Sequence, residues 1–425
     1  MELARSSART KPYVIAWAFS LLFYFLEYAV RSGPAVMIPE LAHTFGVTAA
    51  GVGSILGTYY YTYSVAGLVA GIALDRTGAK YALPAGIAIV ALGCLLFAVP
   101  GSVAGNSGRL LQGAGSAFAF TGSVYLASRG FQARSLATAI GATQCLGMLG
   151  GTLGQSLVGP LIHGGFDVRL FWALMGLANL ATGVALFFIT PNDAREQAQQ
   201  PGARQSLLAP YKIVFGNPQS YLCGLVAGLL FAPTTIFAMN WGVAALQQDR
   251  QMSYAAAIWA CSMVPLGWVV GCPALGWLAD YLGRRKPVIW LGAGGMVLLG
   301  LQQLYLPTLL PLPASLLLFG VASGAAMIPY SIIKEANPDH VKGSSTGAMN
   351  FLTFGVSAVL GPLFARLYGQ TLGLADPVAH FEKGGLFWIA CTCLAIVASL
   401  LLRETGSAAA TAPTKSTPEP VLAPA

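Results

Sequence analysis

Three ionisable side chains lie inside long apolar runs of this chain: Glu27, Arg31 and Arg109. A charged group in hydrocarbon is costly, and it is normally kept only beside a charged partner or a water-filled cavity. Glu27 and Arg31 are four residues apart, which places them on one helix face in the order that favours an ion pair. Two arginines and one carboxylate in one interior predict a site for an anion, or for the carboxylate end of a zwitterion. Arg31 and Arg109 are its candidate binding residues.

Proton chemistry at such a site would depend on Glu27. Arginine stays protonated at accessible pH. A buried glutamate can change its protonation state, because burial favours the neutral form while nearby arginines favour the charged form. Two interpretations remain open: Glu27 couples substrate movement to a proton, or it is a permanent counter-ion of the arginines. The histidines are expected in or near loops and are not candidates: His43, His163, His340 and His380.

Single uncharged polar residues in the apolar runs are further candidates for substrate contact. Tyr24 continues the polar stripe of the first run, and Tyr60 belongs to a cluster of tyrosines whose hydroxyls cannot all face lipid without remaining unpaired. Gln144, Asn240 and Asn350 stand alone in other runs. Hydrogen bonding between helices would explain each of these residues as well as ligand contact does.

The apolar runs that carry these residues are predicted to span a membrane. Only 9% of the 425 residues are charged and 56% are hydrophobic, and the mean hydropathy is +0.66. A soluble domain of this size would have too little polar surface. A spanning helix needs about 20 mainly apolar residues. Twelve stretches fit: 13–37, 49–74, 82–100, 104–128, 136–161, 168–190, 218–246, 253–279, 287–308, 311–334, 343–368 and 384–403. The predicted fold class is an all-α membrane protein with twelve transmembrane helices.

The basic residues predict the orientation of these spans, since cytoplasmic loops carry an excess of Lys and Arg. With both termini in the cytoplasm, the inside segments collect 17 of the 23 basic residues: Arg5, Arg9, Lys11, Arg76, Lys80, Arg129, Arg134, Arg195, Arg204, Lys212, Arg284, Arg285, Lys286, Lys334, Lys342, Arg403 and Lys415. We therefore expect a multi-pass protein of the plasma (inner) membrane with both termini cytoplasmic. The net charge of +8 is spread over many loops, which fits lipid headgroups better than a nucleic-acid partner.

A ten-residue motif occurs twice in the chain. Gly71-Ile-Ala-Leu-Asp75-Arg76-Thr-Gly78-Ala-Lys80 returns 205 residues later as Gly276-Trp-Leu-Ala-Asp280-Tyr-Leu-Gly283-Arg284-Arg285. Each copy lies where one span ends and the next begins, so the chain contains two related halves in the same orientation. A parallel repeat with substrate bound between its halves is typical of one class of secondary transporter. The predicted gating residues belong to these two loops: Gly71, Asp75, Arg76, Gly78, Asp280, Gly283 and Arg284.

On these motifs the chain resembles the major facilitator superfamily over nearly its whole length. The residues that carry the resemblance are the two loop motifs, Arg109-Leu-Leu-Gln112-Gly113-Ala-Gly115 in span 4, and a glycine series in span 5 that ends in Gly159-Pro160 and is echoed by Gly361-Pro362 in span 11. The resemblance implies two pseudo-equivalent six-helix bundles that rock about a midplane site between spans 1, 4, 7 and 10. It also implies that Asp75 and Asp280 latch one face shut; the alternative is a turn that only fixes topology. We interpret the span 5 glycines as helix packing.

The stretch 28–39 resembles span 1 of the organophosphate permeases and anion symporters of the superfamily, in which an arginine at the place of Arg31 faces the central cavity. The phosphate permeases have a matching arginine in span 7, and residues 232–241 contain none here. This difference favours a monocarboxylate, an amino acid or a peptide over a sugar phosphate. In some proton-coupled members a span 1 acid pairs with the span 4 arginine, and Glu27 with Arg109 is similar to that arrangement.

The predicted function is a secondary active transporter that moves a small organic anion or zwitterion by alternating access, coupled to protons. An uncoupled anion exchanger, including the sugar-phosphate type, is the alternative, and a transporter-like nutrient receptor is a remote one. The predicted domains are an N-terminal bundle 1–190, a cytoplasmic linker 191–217, a C-terminal bundle 218–404 and a disordered tail 405–425. The sequence presents no nucleophile with a paired base and no set of metal ligands. We therefore expect a monomeric non-enzyme without cofactor or metal, whose partners are its substrate, protons and the lipid bilayer.

Overall fold

The computed structural model describes residues 2–131, 133–192, 209–338, 341–370 and 377–406, and this part of the chain is helical without strands. Twelve long helical segments follow the predicted order. They are α1 (Glu2–Ser32), α2 (Ala49–Thr77), α3 (Ala79–Phe97), α4 (Ser102–Gly130), α5 (Ala133–Ser156, continued by Val158–His163), α6 (Val168–Ile189), α7 (218–249), α8 (Tyr254–Leu282), α9 (Lys286–Tyr305), α10 (312–335), α11 (Lys342–Gln370) and α12 (Pro377–Leu400). Most of the predicted linker and tail lies outside the described residues.

Ten of these segments are long and apolar enough to cross a membrane. The other two, α2 and α4, have 29 residues each and therefore also have the length of a span. Their polar side chains, such as the tyrosines of α2 and Arg109 of α4, make them less apolar than the rest. The structure thus confirms an all-α membrane protein.

Local sequence signals begin several of the helices. The side chains of Thr48, Asp167, Asn217 and Ser253 each accept a hydrogen bond from a main-chain N–H in the first turn of the helix that follows. Such caps satisfy donors that have no partner within the helix. They set the starts of α2, α6, α7 and α8.

Helix α7 is irregular at its centre. An α-helical part, Pro218–Ala232, is followed by a π-helical part, Pro233–Trp241, and a short α-helix, Gly242–Asp249. Pro233 lacks the N–H that would continue the α-helical ladder, and wider π-type turns accommodate such defects and occur often at functional sites. The segment Pro233–Trp241 therefore presents main-chain carbonyls that a regular helix would use internally.

The helices pack as two groups. Helices α1–α6 contact one another, as do α7–α12, and the groups meet where α2 packs on α11 and α5 packs on α8. Glycines of α5 allow close approach: a Cβ atom on Gly150 would lie 2.2 Å from the main-chain oxygen of Phe25 in α1, and one on Gly159 would lie 2.2 Å from the Ile258 side chain in α8. These contacts confirm that the span 5 glycines serve helix packing.

The two groups also meet at both ends of the molecule. We call the end that carries Gly78 and Gly283 the motif face, and the other end the opposite face. At the motif face, Tyr211 of the short helix Ala209–Gly216, which precedes α7, donates from its hydroxyl to the main-chain oxygen of Leu68 at 3.3 Å. At the opposite face, the Tyr254 hydroxyl donates to the main-chain oxygen of Val36. Hydrogen bonds therefore join the N-terminal group to the rest of the chain at both faces.

Candidate functional site

Glu27, Arg31 and Tyr59 form a fully buried group between α1 and α2, which we call the charged cluster. Arg31 donates to Glu27 Oε1 from Nη2 at 2.6 Å and from Nε at 3.0 Å, and the Tyr59 hydroxyl donates to the same oxygen. The predicted ion pair between Glu27 and Arg31 is confirmed. Charge-assisted hydrogen bonds of this kind offset part of the cost of burying the two charges.

The hydrogen bonding of the charged cluster is incomplete. Oε1 of Glu27 takes all three donors, whereas its Oε2 atom has no partner, and Nη1 of Arg31 has no acceptor. Buried polar atoms in folded proteins nearly always have a partner, so exceptions mark places where a ligand, a proton or water completes the set. The charged cluster can therefore bind one further donor through the carboxylate and one further acceptor through the guanidinium.

Arg109 is held by acceptors on three helices. Its Nη1 and Nη2 atoms each lie 3.0 Å from a main-chain oxygen at the end of α1, those of Val30 and Arg31, and Nη1 also lies 2.9 Å from Gln112 Oε1. Nε donates to the Leu56 main-chain oxygen in α2 at 3.4 Å. A cation at the carbonyl end of a helix is favourable. The predicted substrate contact by Arg109 would require these bonds to be given up, and the carboxylate of Glu27 is paired with Arg31 instead of Arg109.

Aromatic rings separate Arg31 from the central cavity. The guanidinium carbon of Arg31 lies 4.4 Å from the ring centre of Tyr28, 4.7 Å from that of Tyr63 and 5.1 Å from that of Phe354. We call these rings, from α1, α2 and α11, the aromatic layer. The same rings line a cavity with about 360 Å³ of empty space between the two groups of helices. The ring faces attract the guanidinium cation. Arg31 thus contacts the rings that line the cavity and does not line the cavity itself.

Two tyrosine–amide pairs also line the central cavity, one from each group of helices. The Tyr24 hydroxyl donates to Gln144 Oε1 at 3.2 Å, and the Tyr330 hydroxyl donates to Asn350 Oδ1 at 2.8 Å. In each pair the amide oxygen accepts from the tyrosine hydroxyl. The cavity lining thus combines amide groups with aromatic faces.

Tyr60 and Asn240 lie elsewhere. The Tyr60 hydroxyl donates to the main-chain oxygen of Thr235 at 2.9 Å, and the Asn240 side chain donates to the same oxygen. Both residues line a separate crevice, with about 1330 Å³ of empty space, beside α2, α7 and α11. The structure therefore brings Tyr24, Gln144 and Asn350 together at the central cavity, and it places Tyr60 and Asn240 where the π-helical part of α7 meets α2.

The two loop motifs form turns of different geometry. Gly78 has φ +74° and ψ 166°, a conformation that essentially only glycine adopts. Gly283 has φ +61° and ψ 16°, the left-handed helical conformation. Arg76 and Arg284 are exposed, and the side chain of Asp75 lies outside the described part. Gly71 faces Tyr211, because a Cβ atom there would lie 3.0 Å from the tyrosine hydroxyl.

In the second motif, Asp280 pairs with Arg285. Arg285 Nη1 lies 2.6 Å from Asp280 Oδ1, and Nη2 lies 2.7 Å from Glu335 Oε1 at the end of α10. Burial alone would lower the pKa of Arg285, but the bonds to Glu335 and Asp280 outweigh it and raise the pKa above its usual value. Arg285 therefore remains charged and ties the loop to α10.

Lys80, the last residue of the first motif, and Lys286, the residue after the second, each donate to main-chain oxygens at the end of the last helix of their half. Lys80 Nζ donates to the main-chain oxygens of Phe187 and Thr190 at 2.8 and 3.3 Å, at the end of α6. Lys286 Nζ does the same at the end of α12, with the oxygens of Leu400 and Leu402 both at 2.9 Å. These bonds satisfy carbonyls that have no partner within the helix. The sequence repeat thus has a structural counterpart that the motif comparison did not identify.

The expectation that His380 lies in or near a loop was wrong. His380 is in α12, is 3% exposed, and its Nδ1 atom lies 2.7 Å from Asp249 Oδ1 at the end of α7. The error arose because the predicted span 12 started at residue 384, whereas α12 begins at Pro377. Sequence reasoning identified the tyrosine cluster of α2 but selected Tyr60 from it and missed Tyr59. It also missed Tyr330 and Phe354, whose aromatic side chains are ordinary in membrane helices and gave no distinct signal.

Comparisons with known proteins agree with this architecture. The family model described as Major Facilitator Superfamily matches residues 20–362. Membrane sensor protein UhpC of Salmonella typhimurium is 26% identical over 419 residues, which cover 92% of this chain and 90% of the relative. D-galactonate transporter of Escherichia coli is 23% identical over 395 residues, 84% of this chain and 90% of the relative. The solved structure of a D-xylose-proton symporter is 15% identical, with a TM-score of 0.71 over 92% of this chain and 97% of that one. The family match over most of the chain, together with the helical architecture, shows that this protein belongs to the major facilitator superfamily and is a membrane transporter, not an enzyme.

Proposed function

We propose that this transporter moves a small monocarboxylate that carries hydroxyl groups, together with a proton. The observation that carries the proposal is the central cavity, which is lined by the amides of Gln144 and Asn350, one from each group of helices, while the unpaired Nη1 atom of Arg31 lies behind the aromatic layer. Amide donors suit hydroxyl and carboxylate oxygens, and a guanidinium binds a carboxylate through two parallel N–H donors.

The charges of the buried side chains favour a substrate with one anionic group over a substrate with two. The described interior holds Arg31 and Arg109 against Glu27, and Arg109 already has four acceptors. Arg31 is then the cation available to a substrate. The π-helical part of α7 contributes threonines and an asparagine but no second cation, which disfavours a doubly charged phosphate. One similar protein is named D-galactonate transporter, and galactonate is a hydroxylated monocarboxylate.

In this proposal the substrate is coupled to a proton because the substrate carboxylate and Glu27 compete for the N–H donors of Arg31. A substrate carboxylate that takes donors of Arg31 leaves Glu27 with the Tyr59 hydroxyl and a weakened ion pair. A buried carboxylate without a full cationic partner favours its neutral form. The unpartnered Oε2 atom of Glu27 is the place where that proton would be held. Substrate and proton would therefore occupy the site together.

Alternating access then requires the two groups of helices to move relative to each other. We assign the moving units to 1–190 and 218–404, joined by the linker 191–217 and followed by the tail 405–425. The motif face is the cytoplasmic one in this scheme, with both termini inside, and the protein acts as a monomer. The aromatic layer must open for a substrate to reach Arg31, and its Phe354 ring comes from the opposite group of helices.

Counterflow in proteoliposomes tests this function. Vesicles preloaded with one compound are tested for uptake of labelled aldonates, hexuronates, simple monocarboxylates, amino acids, dipeptides and sugar phosphates. We expect counterflow with hydroxylated monocarboxylates and its acceleration by an inward proton gradient. Counterflow restricted to amino acids or to sugar phosphates would contradict the proposed substrate class.

A sensor is the second candidate, because one similar protein is named a membrane sensor protein. The two candidates differ in one measurable property. A transporter accumulates substrate in vesicles that contain the purified protein alone, whereas a sensor binds its ligand without net uptake. Binding by isothermal calorimetry without uptake in the same preparation would establish the sensor function.

A further inference from the structure

A second buried ionisable group lies in the C-terminal half, distant from Glu27 along the chain and in space. It joins the ends of three helices: Asp249 of α7, Tyr368 of α11 and His380 of α12. His380 Nδ1 lies 2.7 Å from Asp249 Oδ1, and His380 Nε2 lies 2.9 Å from the main-chain oxygen of Tyr368. The Tyr368 hydroxyl donates to Asp249 Oδ2 at 2.6 Å. We call this group the helix-end cluster.

The geometry of the helix-end cluster requires a bound proton. A main-chain carbonyl oxygen only accepts, so Nε2 of His380 must carry a hydrogen. A neutral imidazole has no second N–H, and the 2.7 Å contact of Nδ1 with a carboxylate oxygen needs another hydrogen. That hydrogen resides either on Nδ1, which gives imidazolium and carboxylate, or on Asp249, which gives imidazole and carboxylic acid. In both forms the pair holds one proton more than a neutral histidine beside an ionised aspartate.

Loss of that proton breaks a contact. The remaining N–H of His380 can donate to Asp249 or to the main-chain oxygen of Tyr368, but not to both. The other ring nitrogen would then point its lone pair at an oxygen atom. An unmade buried hydrogen bond costs about 1–3 kcal/mol. The deprotonated cluster therefore holds α7 to α11 and α12 less firmly than the protonated one.

Other charged groups on the adjoining elements have contacts of their own. Arg250 donates to the main-chain oxygen of Gln303 at 2.8 Å and lies over the ring of Phe381, and it also interacts electrostatically with the neighbouring Asp249 carboxyl group. Glu382 accepts from the Tyr305 hydroxyl at 2.6 Å. Among the described residues of α11 and α12, Arg366 and Lys383 make no hydrogen bond or ion pair with the cluster. Asp376 falls in the stretch 371–376, which is outside the described part, and is therefore tested directly below.

Helix α7 connects the cluster to the interface between the halves. Its π-helical part, Pro233–Trp241, contacts the N-terminal group of helices: Gln155 donates to the main-chain oxygen of Ala238 at 2.6 Å, and Tyr60 donates to that of Thr235 at 2.9 Å. A pocket of the C-terminal group is lined by Pro233 of the π-helical part and by Tyr368 of the helix-end cluster. The two regions are therefore neighbours within one pocket lining.

We propose that the helix-end cluster is a second proton-binding site, whose proton holds α7 in the position that closes the opposite face. Binding of a proton to the closed state in preference to the open state shifts the population toward closure as the pH falls. The open population accordingly rises with pH. This site goes beyond the proposed role of Glu27, since it acts on the conformation of α7 and not on the substrate.

Spin labels across the opposite face measure this effect in the full-length protein. Val103 and Leu309 are 79% and 66% exposed, at the start of α4 and just after α9, and Val103→Cys with Leu309→Cys in a background without the seven native cysteines provides the pair. We expect the long-distance population to rise between pH 5 and pH 9. A tenfold preference of the proton for the closed state changes the ratio of the two populations by about tenfold over the titration.

Asp249→Asn is the decisive variant. Its amide oxygen can accept from the Tyr368 hydroxyl while its NH₂ group donates to Nδ1 of a neutral His380, so all contacts persist without a titrating proton. We expect the closed population at every pH in Asp249→Asn, and a reduced closed population at every pH in His380→Gln. Asp376→Asn should keep the wild-type pH dependence, which excludes Asp376 as the responsible group. Asp249→Asn retains Glu27, so a loss of pH dependence in that variant assigns the effect to the helix-end cluster and not to the substrate site. A wild-type distance distribution that is constant between pH 5 and pH 9, or an unchanged pH dependence in Asp249→Asn, would overturn the proposal.

Nitrogen NMR of the histidine rings provides a second test that needs no substitution of the cysteines. His380 is identified by its loss from the spectrum in His380→Gln. We expect a protonated Nε2 at low pH and a change in the ring signals over the same pH range as the distances. A His380 ring that stays neutral with its hydrogen on Nδ1 at all pH values would contradict the proton count.

Discussion

The centres of the two halves differ in charge although their sequences are related. In the N-terminal half, α1 and α4 bring Glu27, Arg31 and Arg109 into a fully buried interior. In the C-terminal half, the corresponding part of α7 presents Thr234 and Thr235, which bond to Trp268 and to hydroxyl groups of the same half. One half therefore holds the charges, and the other contributes neutral hydrogen bonds and aromatic rings.

This difference indicates that the two halves make different contributions to the site. Near the central cavity, the described side chains that could compensate the charge of an anion or take up a proton, Arg31 and Glu27, belong to the N-terminal half. The C-terminal half can recognise neutral groups, through Asn350, and can change shape, through the π-helical part of α7. Its own buried ionisable pair, Asp249 with His380, lies at the helix ends. The predictions below test whether the division holds, from the largest expected effect to the smallest.

Arg31→Gln should abolish transport. The variant loses the cation proposed to bind the substrate, and a hydrogen bond to a charged group contributes about 1.5–3 kcal/mol, so we expect uptake per folded protein to fall by about 100-fold. Removal of one partner of a buried ion pair also costs about 3–5 kcal/mol of folding stability. The double variant Glu27→Gln with Arg31→Gln removes both charges and should restore thermal stability without restoring uptake. Wild-type uptake in Arg31→Gln would show that the charge of the N-terminal half is not used for substrate binding.

Glu27→Gln should separate transport from proton coupling. The amide cannot take up the proton, so a pH gradient should no longer drive accumulation, while exchange of internal for external substrate continues. The measurement is uptake against a concentration gradient compared with counterflow in the same vesicles. Retained accumulation on a proton gradient alone would mean that Glu27 is a permanent counter-ion.

Gln144→Ala and Asn350→Ala compare the neutral contributions of the two halves. Each variant loses amide donors to a bound anion, and we expect the apparent affinity to fall by about tenfold in both. Asn240→Ala is the matched control, because Asn240 lines the separate crevice, and its apparent affinity should stay within about twofold of wild type. An effect in Gln144→Ala without one in Asn350→Ala would confine recognition to the N-terminal half.

Gly78→Asn and Gly283→Asn compare the two loop motifs. Asparagine tolerates the left-handed conformation of Gly283, whereas the conformation of Gly78 is open essentially only to glycine. Gly78→Asn should therefore destabilise the protein by about 1–3 kcal/mol, and Gly283→Asn by less. Thermal unfolding in detergent measures both, and equal losses would contradict the difference in turn geometry.

Local signals in the sequence predicted much of the architecture. Long apolar runs identified the helices, and the spacing of the loop motifs identified two related halves. The ion pair of Glu27 with Arg31 was predictable because four residues bring two side chains together on one helix. The boundaries of the helices were predicted less accurately than their existence. Because span 12 was predicted to begin at residue 384, His380 was not considered as a helix residue.

The structure alone decided which distant groups meet. Tyr59 approaches Glu27 from 32 residues away, and His380 approaches Asp249 from 131 residues away. No local pattern encodes these pairs, because they depend on how α2 packs on α1 and how α12 packs on α7. The separation of Tyr60 and Asn240 from the central cavity has the same origin, since it follows from the side of α7 that contacts α2.

The sequence by itself determined that the chain lies in a membrane, that it repeats, and that a buried acid and base occupy its first helix. These properties depend on composition and on spacing within one helix, which are local. Only the tertiary structure decided that Arg31 stands behind aromatic rings, that Arg109 is held by main-chain oxygens, and that Asp249, Tyr368 and His380 meet where three helices end. Those properties depend on packing between helices, where the position of one side chain is fixed by neighbours that come from anywhere in the chain.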